Sequence, residues 1–230
     1  MKKAIFRANI IIVAMLMCLI GIGFHGYKSQ KVQADSRVIY SGNQQNNNVC
    51  FMINVYQGED YVKAILDICD VYRIKTTFFV GGCWASKNIE LVKEMYSRGH
   101  EIANHGFNHR DHDKLDYSQN EQEIMTCHKL ISKNIGVEMT LFAPPSGAFN
   151  TTTIDVASSL GYKTIMWTRD TIDWRDQDAT LIFNRATKNL KNGDLVLMHP
   201  TKKTVEAFTD IVSTAINNGF NPTTVSHCLE

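Results

Sequence analysis

The sequence predicts an α/β fold with a parallel sheet, because short apolar runs alternate with segments of helical periodicity along the chain. Two further observations support this class. β-Branched and aromatic residues are concentrated in the apolar runs, and glycines follow several of the helical segments. A (β/α) barrel and an open doubly wound sheet both satisfy this alternation. In either arrangement, functional side chains are expected just beyond the carboxyl ends of the strands.

Strands are predicted where apolar or β-branched residues run together without helical spacing. The run Thr76–Val80, for example, is β-branched and aromatic and ends at two glycines. The predicted strands are Val49–Val55, Thr76–Val80, Glu101–Asn104, Leu141–Ala143, Thr164–Trp167, Asp194–Met198 and Thr223–Val225.

Helices are predicted where apolar residues recur every three or four positions. Ser118 and Glu121 have the spacing of a capping box and predict the start of one helix. The predicted helices are Tyr61–Tyr72, Ile89–Ser97, Ser118–Ile135, Thr152–Leu160, Ala179–Leu190 and Thr204–Asn217.

The charge of the chain is nearly balanced but unevenly distributed. Its 230 residues carry a formal net charge of +1, which argues against a nucleic-acid-binding protein. Residues 1–34, however, contain basic side chains and no acidic ones, so the remainder is net acidic. The hydrophobic content of 44% is that of a chain that folds around a core.

Residues 1–34 have the pattern of an export signal. Basic residues precede an apolar run from Ile10 to Phe24, and Val32-Gln33-Ala34 suits cleavage after Ala34. We predict either a cleaved signal peptide or an N-terminal membrane anchor, with the rest of the protein secreted or held at the outer face of the membrane. Residues 35–48 are polar and aperiodic and are predicted to be a linker, which leaves 49–230 as one domain.

The cysteines are predicted to be mostly buried free thiols. The sequence has no CxxC pair, and Cys50, Cys69 and Cys127 lie within apolar strand or helix patterns. One disulfide involving Cys83 or Cys228 remains an alternative at this point.

Several side chains with chemical potential follow the predicted strands. His105 and His109 lie four residues apart in a loop and form a candidate pair of metal ligands. His199 ends a buried strand, a suitable place for proton transfer, while His112 is predicted to lie at the surface. Asp173 and Trp174 supply a carboxylate that could orient an imidazole and an indole that could form a wall for a sugar ring.

These residues occur in an order that resembles the polysaccharide deacetylases, the NodB-homology or carbohydrate esterase family 4 enzymes, over about residues 49–226. The similarity is closest to the sporulation-associated branch. Four of the five family motifs are matched, by His105-x-x-x-His109, Pro144-Pro145-Ser146-Gly147, Asp173-Trp174 and Leu197-Met198-His199.

The resemblance implies a distorted (β/α) barrel that removes N-acetyl groups from amino-sugar polysaccharides such as peptidoglycan or chitin, at the cell envelope or spore. It implies a divalent metal, zinc or a similar ion, with His105 and His109 as ligands. It also implies His199 as the acid and Asp173 as the residue that holds it. The implied substrate contacts are Trp174, Leu197, Pro145 and Ser146, the last through its backbone N–H.

The first motif departs from the family. Where the family usually reads Thr-Phe-Asp-Asp-Gly, this chain has Met52-Ile53-Asn54-Val55-Tyr56. Asn54 therefore occupies the position of the catalytic base and Val55 that of the metal-binding carboxylate. The arginine that usually pairs with the base is replaced by Ala143. The linked loss of the base and its arginine is physically consistent, because a buried charge left without its partner is costly.

Two hypotheses of different class follow. The first is a deacetylase with an altered metal site that takes a substitute carboxylate. The second is a glycan-binding protein that keeps the fold and the groove. The candidate substitutes are Glu59, Asp60, Asp111, Asp113 and Asp170.

Overall fold

The computed structural model describes residues 35–230, and Ser36–Glu230 form one compact unit. The predicted signal peptide or anchor in residues 1–34 lies outside the described part of the chain. Every helix within residues 35–230 is too short or too polar to cross a membrane.

The described residues form a sheet of short strands. These are β1 (Val38–Ile39), β2 (Asn48–Val55), β3 (Thr77–Val80), β4 (Glu101–Asn104), β5 (Leu141–Phe142), β6 (Lys163–Ile165), β7 (Arg169–Asp170), β8 (Leu195–Met198) and β9 (Asn221–Pro222). Their order in the sheet is β1-β6-β5-β4-β3-β2-β8-β7, and β9 lies beside the start of β2. All of these strand pairs are parallel, as the alternation of strands and helices predicts.

Helices connect most of these strands, and two short 3₁₀ turns, His112–Lys114 and Pro145–Gly147, lie in the loops. The helices are α1 (Glu59–Tyr72), α2 (Gly82–Lys87), α3 (Ile89–Ser97), α4 (Tyr117–Ile135), α5 (Thr151–Ser159), α6 (Ala179–Thr187), α7 (Lys202–Asn217) and α8 (Val225–Leu229).

Alternate residues of the strands face two different apolar layers. In β2, Phe51 and Ile53 belong to the outer layer between sheet and helices, whereas Cys50 and Met52 belong to an inner cluster. Strands β3, β4, β5, β6 and β8 also contribute to the inner cluster, so the sheet curves around a shared interior. The expected distorted barrel is therefore confirmed as a parallel half-barrel with helices on its outer face.

Part of the stretch predicted to be a linker is instead folded. Val38–Ile39 pair with Thr164 and Ile165 of β6, and Gly42 donates a backbone hydrogen bond to Gly193. The prediction of a linker over 35–48 is therefore wrong at these residues. The sequence of this stretch does not predict these contacts, because backbone hydrogen bonds to an existing strand need no hydrophobic repeat.

Other differences are local. Helix α4 is capped by Asp116, which forms a capping box with Gln119, so the start predicted at Ser118 is wrong. The strand predicted at Thr223–Val225 is also wrong, because the Thr224 side chain accepts from the His227 N–H and caps α8. The cysteines of residues 35–230 are all free, as the free-thiol prediction requires.

A buried histidine in the fold makes stability pH-dependent. His100 is 2% exposed, and its Nδ1 accepts a 3.2 Å hydrogen bond from the Thr76 N–H. Burial, with a further contribution from the charge of Lys75, lowers the pKa of His100 from 6.5 to about 4. The unfolded chain therefore takes up this proton near pH 6.5, whereas the folded chain takes it up only near pH 4. Stability is consequently lost as the pH falls through this window.

We expect His100→Gln, which keeps an acceptor for Thr76, to remove part of this acid sensitivity. Between pH 7 and pH 4 the free energy of unfolding of the wild type should fall by about 2–3 kcal/mol more than that of the variant. Urea unfolding at both pH values measures the difference. Parallel pH dependences for the two proteins would contradict it.

Candidate functional site

The carboxyl ends of the strands meet at a cavity of about 280 Å³. The structure brings together most residues that the sequence singled out. Pro145 lies in the adjoining turn, and Asp173 lies behind His199. The lining residues are Asn54, Tyr56, His105, His109, Ser146, Trp167, Asp170, Trp174, Leu197 and His199.

His105 is fixed at the end of β4. Its backbone N–H donates to the Val80 carbonyl, and its Nδ1 lies 2.8 Å from the Ala143 carbonyl oxygen, to which it donates as the neutral Nδ1–H tautomer. Its Nε2 is buried and has no hydrogen-bond partner in the described part of the chain. The ring of His109 follows at a centroid distance of 5.1 Å and an angle of 70°. The two imidazoles therefore lie beside each other, while their role as metal ligands stays a prediction.

The loop carrying this pair is held by a buried carboxylate. Glu123 of α4 accepts hydrogen bonds from the backbone N–H groups of Phe107 and Asn108, at 3.0 and 2.7 Å. The side chain of Asn104 accepts from the Gly106 N–H and donates to the Ile124 carbonyl. These contacts satisfy backbone groups that the tight loop would otherwise leave unpaired.

Both histidines of the pair are disposed to be neutral. Burial lowers the pKa of His105 well below its usual value, and the neighbouring His109 adds to that effect. Burial likewise lowers the pKa of His109. Neutral imidazoles present a free lone pair, the form in which histidine accepts a proton or binds a metal.

His112 is not at the surface, and that prediction is wrong. Its ring is fully buried, with Nδ1 2.7 Å from Oδ1 of Asn120. Asn120 in turn donates to the backbone carbonyls of His112 and Leu115. His112 is thus a structural residue beneath the histidine loop, and burial lowers its pKa.

His199 is oriented by a fully buried carboxylate. Oδ1 of Asp173 lies 2.7 Å from Nδ1 of His199, and Oδ2 accepts from the His199 backbone N–H at 2.7 Å. The hydroxyl of Thr204 also donates to Oδ2, at 2.6 Å. The other ring edge of His199 remains available to the cavity that this residue lines. The pair assigned by the resemblance is therefore assembled in this chain.

The predicted metal site is incomplete. A catalytic zinc site normally has three protein ligands. Within residues 35–230, no group of three histidine, cysteine, aspartate or glutamate side chains is arranged to hold an ion. Val55, at the position of the missing carboxylate, is fully buried in the outer apolar layer. The residues present thus offer the two histidines alone, and they do not fit the complete site that the resemblance implies.

The position that the resemblance assigns to the catalytic base holds a neutral amide. Asn54 is 3% exposed, lines the cavity, and its Oδ1 has no partner in the described part of the chain. Ala143, where the arginine would stand, lies within the inner apolar cluster. Position 54 thus still offers a hydrogen-bonding group to the cavity. It lacks the negative charge of the aspartate that the family usually has there.

The motif Pro144-Pro145-Ser146-Gly147 forms a tight turn beside the histidines. Ser146 has φ 57° and lines the cavity. Gly147 has φ 64°, and a Cβ there would lie 2.8 Å from the ring of Trp167. This close approach explains why glycine stands at that position.

Aromatic side chains form the outer wall. Trp174 is 53% exposed, and the guanidinium of Arg175 lies 5.8 Å from its ring centroid. Leu197 is 3% exposed and also lines the cavity. Trp167 and Tyr56 also line the cavity, and neither is among the residues predicted for the site. The signal for Tyr56 was available, because it occupies the position of the glycine in the altered first motif.

Comparison with known proteins was consistent with these observations. The family model described as polysaccharide deacetylase matches residues 43–165. The protein YlxY of Bacillus subtilis is 36% identical over 192 residues, which cover 84% of this chain and 60% of YlxY. A peptidoglycan-N-acetylglucosamine deacetylase of Bacillus cereus is 33% identical over 192 residues, covering 80% of this chain and 90% of the enzyme.

A solved structure with a similar fold is that of BA3943, described as a CE4 family pseudoenzyme from Bacillus anthracis. It superposes with a TM-score of 0.81 at 30% identity, covering 84% of this chain and 69% of BA3943. A mutant of BA3943 with restored enzymatic activity matches with the same TM-score. The fold is thus shared with a protein described as a pseudoenzyme and with a mutant of it in which enzymatic activity is restored.

Proposed function

Because this chain belongs to the polysaccharide deacetylase family, we propose that it binds N-acetylated amino-sugar polysaccharide of the peptidoglycan type with strongly impaired hydrolysis. The observation that carries the proposal is a cavity with an assembled wall and an incomplete catalytic set. Trp174, Leu197 and the Asp173–His199 pair are in place. The base position holds Asn54, and the two histidines have no third ligand within residues 35–230.

The lining suits an acetamido sugar. Trp174 offers an exposed indole face on which the apolar face of a pyranose can pack. Asn54 and His105 present buried polar atoms without partners in the described part of the chain, and these atoms suit the amide and hydroxyl groups of the ligand. Leu197 supplies an apolar surface for the acetyl methyl group.

Catalysis is impaired for two separate reasons. Asn54 cannot accept a proton at neutral pH, and loss of a general base typically slows a reaction by about 10²–10⁴-fold. The missing third ligand weakens the hold on any divalent ion. The export-signal pattern of residues 1–34 supports an extracellular location. The glycan of the cell envelope is the ligand that the protein would meet there.

Residual deacetylation is the second candidate function. It is favoured by one observation, the intact Asp173–His199 pair, which is the arrangement expected of a general acid. This pair distinguishes the site from one in which every catalytic group has been lost.

The proposal is tested by titrating the purified protein with the tetramer of N-acetylglucosamine in a calorimeter. We expect binding of the same strength with and without EDTA, because the contacts proposed here are those of the protein. Acetate release in the presence of Zn²⁺ should be at least about 10²-fold slower than that of an active family member assayed in parallel. Absence of binding to the tetramer and to purified peptidoglycan would overturn the proposal, as would acetate release at the rate of the active enzyme.

Trp174→Ala is expected to weaken binding of the tetramer by about 5–10-fold, because it removes the exposed aromatic wall. Tyr96→Ala is a matched control, since Tyr96 is 44% exposed on α3 and lines none of the clefts described. An unchanged dissociation constant for Trp174→Ala would exclude this side chain from the binding surface.

A further inference from the structure

The ring of Tyr56 lies near three imidazole rings of the cavity. Its centroid lies 4.0 Å from that of His109 at an angle of 39°, and 6.0 and 6.4 Å from those of His199 and His105. The ring is partly exposed, so it is a surface of the cavity and not part of the core.

The backbone around Tyr56 is constrained. The residue directly follows β2, and Gly58 two positions later has φ 84°. A Cβ at Gly58 would lie 2.2 Å from the Pro200 carbonyl oxygen, so the chain turns tightly against the segment after His199. Packing of the ring on His109 further restricts its rotation, so little conformational entropy remains to be lost on binding.

Tyr56 also borders a second cleft of about 400 Å³, which Gly81, Trp84, Lys87 and Phe107 line on its other sides. Tyr56 and His109 line both clefts, so their two rings, in contact at an angle of 39°, form the wall that the clefts share. A linear polymer that occupies the first cleft and extends into the second must therefore pass over this wall.

We propose that Tyr56 is a sugar-binding platform that joins the two clefts and sets the preference of this site for glycan chains over single sugars. The inference rests on the proposed function and extends it to a residue that replaces the glycine of the first motif. The aromatic face, not the hydroxyl, makes the contact, since the apolar face of a pyranose packs on an aromatic ring. The platform needs no metal, in keeping with the incomplete histidine site.

The test compares Tyr56→Phe, Tyr56→Ala and Tyr56→Leu by calorimetry in EDTA, with the N-acetylglucosamine tetramer and the monosaccharide as probes. We expect Tyr56→Phe to bind the tetramer within about threefold of the wild type. Tyr56→Ala should weaken tetramer binding by about 10-fold or more, with a smaller effect on the monosaccharide. Tyr56→Leu keeps apolar bulk without an aromatic face and should also lose most of the gain from chain length.

The outcomes separate the two proposals. If the wild type binds the tetramer and both Tyr56→Ala and Tyr56→Leu bind it equally well, the platform is refuted and the proposed function stands. If the wild type binds no glycan, the proposed function itself fails. Thermal unfolding of each variant identifies any that fails to fold, and Tyr96→Ala again serves as the control for loss of an exposed tyrosine.

Discussion

The triple variant Asn54→Asp, Val55→Asp, Ala143→Arg is expected to release acetate from the N-acetylglucosamine tetramer at least about 10²-fold faster than the wild type. It restores the two carboxylates and the guanidinium that the family usually has at these positions. Asn54 already lines the cavity, so an isosteric carboxylate there is positioned to accept a proton. The arginine at 143 gives that buried charge a partner, which lowers the cost of ionising it.

The same variant should gain Zn²⁺ binding, measured by calorimetry, because position 55 is the one that the resemblance assigns to a metal-binding carboxylate. The new side chain must leave the outer apolar layer, where Val55 lies, to reach His105 and His109. The stability of the variant should fall by about 1–4 kcal/mol, since Val55 and Ala143 are fully buried in apolar layers. The matched control is a second triple variant, with Asn54→Asp, Val55→Asn and Ala143→Arg. Its side chain at position 55 has the same shape but no charge. Zn²⁺ binding without any gain in acetate release would contradict the assignment of position 54 to the base.

Asp173→Ala is expected to destabilise the protein by about 3–5 kcal/mol, the largest loss that any single substitution in the site should cause. The carboxylate is completely buried and accepts from the His199 backbone, the His199 ring and the Thr204 hydroxyl. Its removal leaves three buried donors without an acceptor, and such groups cost far more than a well-made hydrogen bond contributes.

Urea unfolding at pH 7 measures this effect, and the melting temperature should fall by roughly 6–20 °C. Two milder variants calibrate it. Thr204→Val removes one of the three donors and should cost about 1 kcal/mol. Asp170→Ala alters a half-buried carboxylate nearby that accepts one backbone hydrogen bond from Ile172, with a similar small cost. A loss for Asp173→Ala no greater than that for Asp170→Ala would show that the buried network contributes little.

The sequence predicts well those parts of the fold in which apolar residues recur with the period of a strand or a helix. Strand β2 and helix α3 are found close to the predicted residues, because each carries its own apolar pattern. Strands β1 and β7 have two residues each, too few to show any period, and they exist because a neighbouring strand offers hydrogen-bonding groups.

The candidate site was predictable for a different reason. Residues at the ends of parallel strands meet wherever they stand in the sequence, which brings Asn54 together with His105 and His199. What sequence alone could not provide was side-chain environment. The sequence does not show that the ring of His112 is buried with a hydrogen bond to Asn120. It marks Tyr56 as a departure from the first motif, but it does not show that the ring contacts His109.

The placement of the chemistry at strand ends has a consequence for how such a protein can change over evolutionary time. The hydrogen bonds of the sheet are made by backbone atoms, and Asn54 and Val55 pair with Phe79 and Val80 of β3 whatever their side chains. Exchanging a carboxylate for an amide or an alkyl group there alters the reaction without altering the register of any strand. The pairing of these strands is therefore independent of the two side chains, so a few substitutions at strand ends can remove or restore the chemistry while the sheet keeps its register. The change costs stability only where the exchanged side chain is buried, as that of Val55 is.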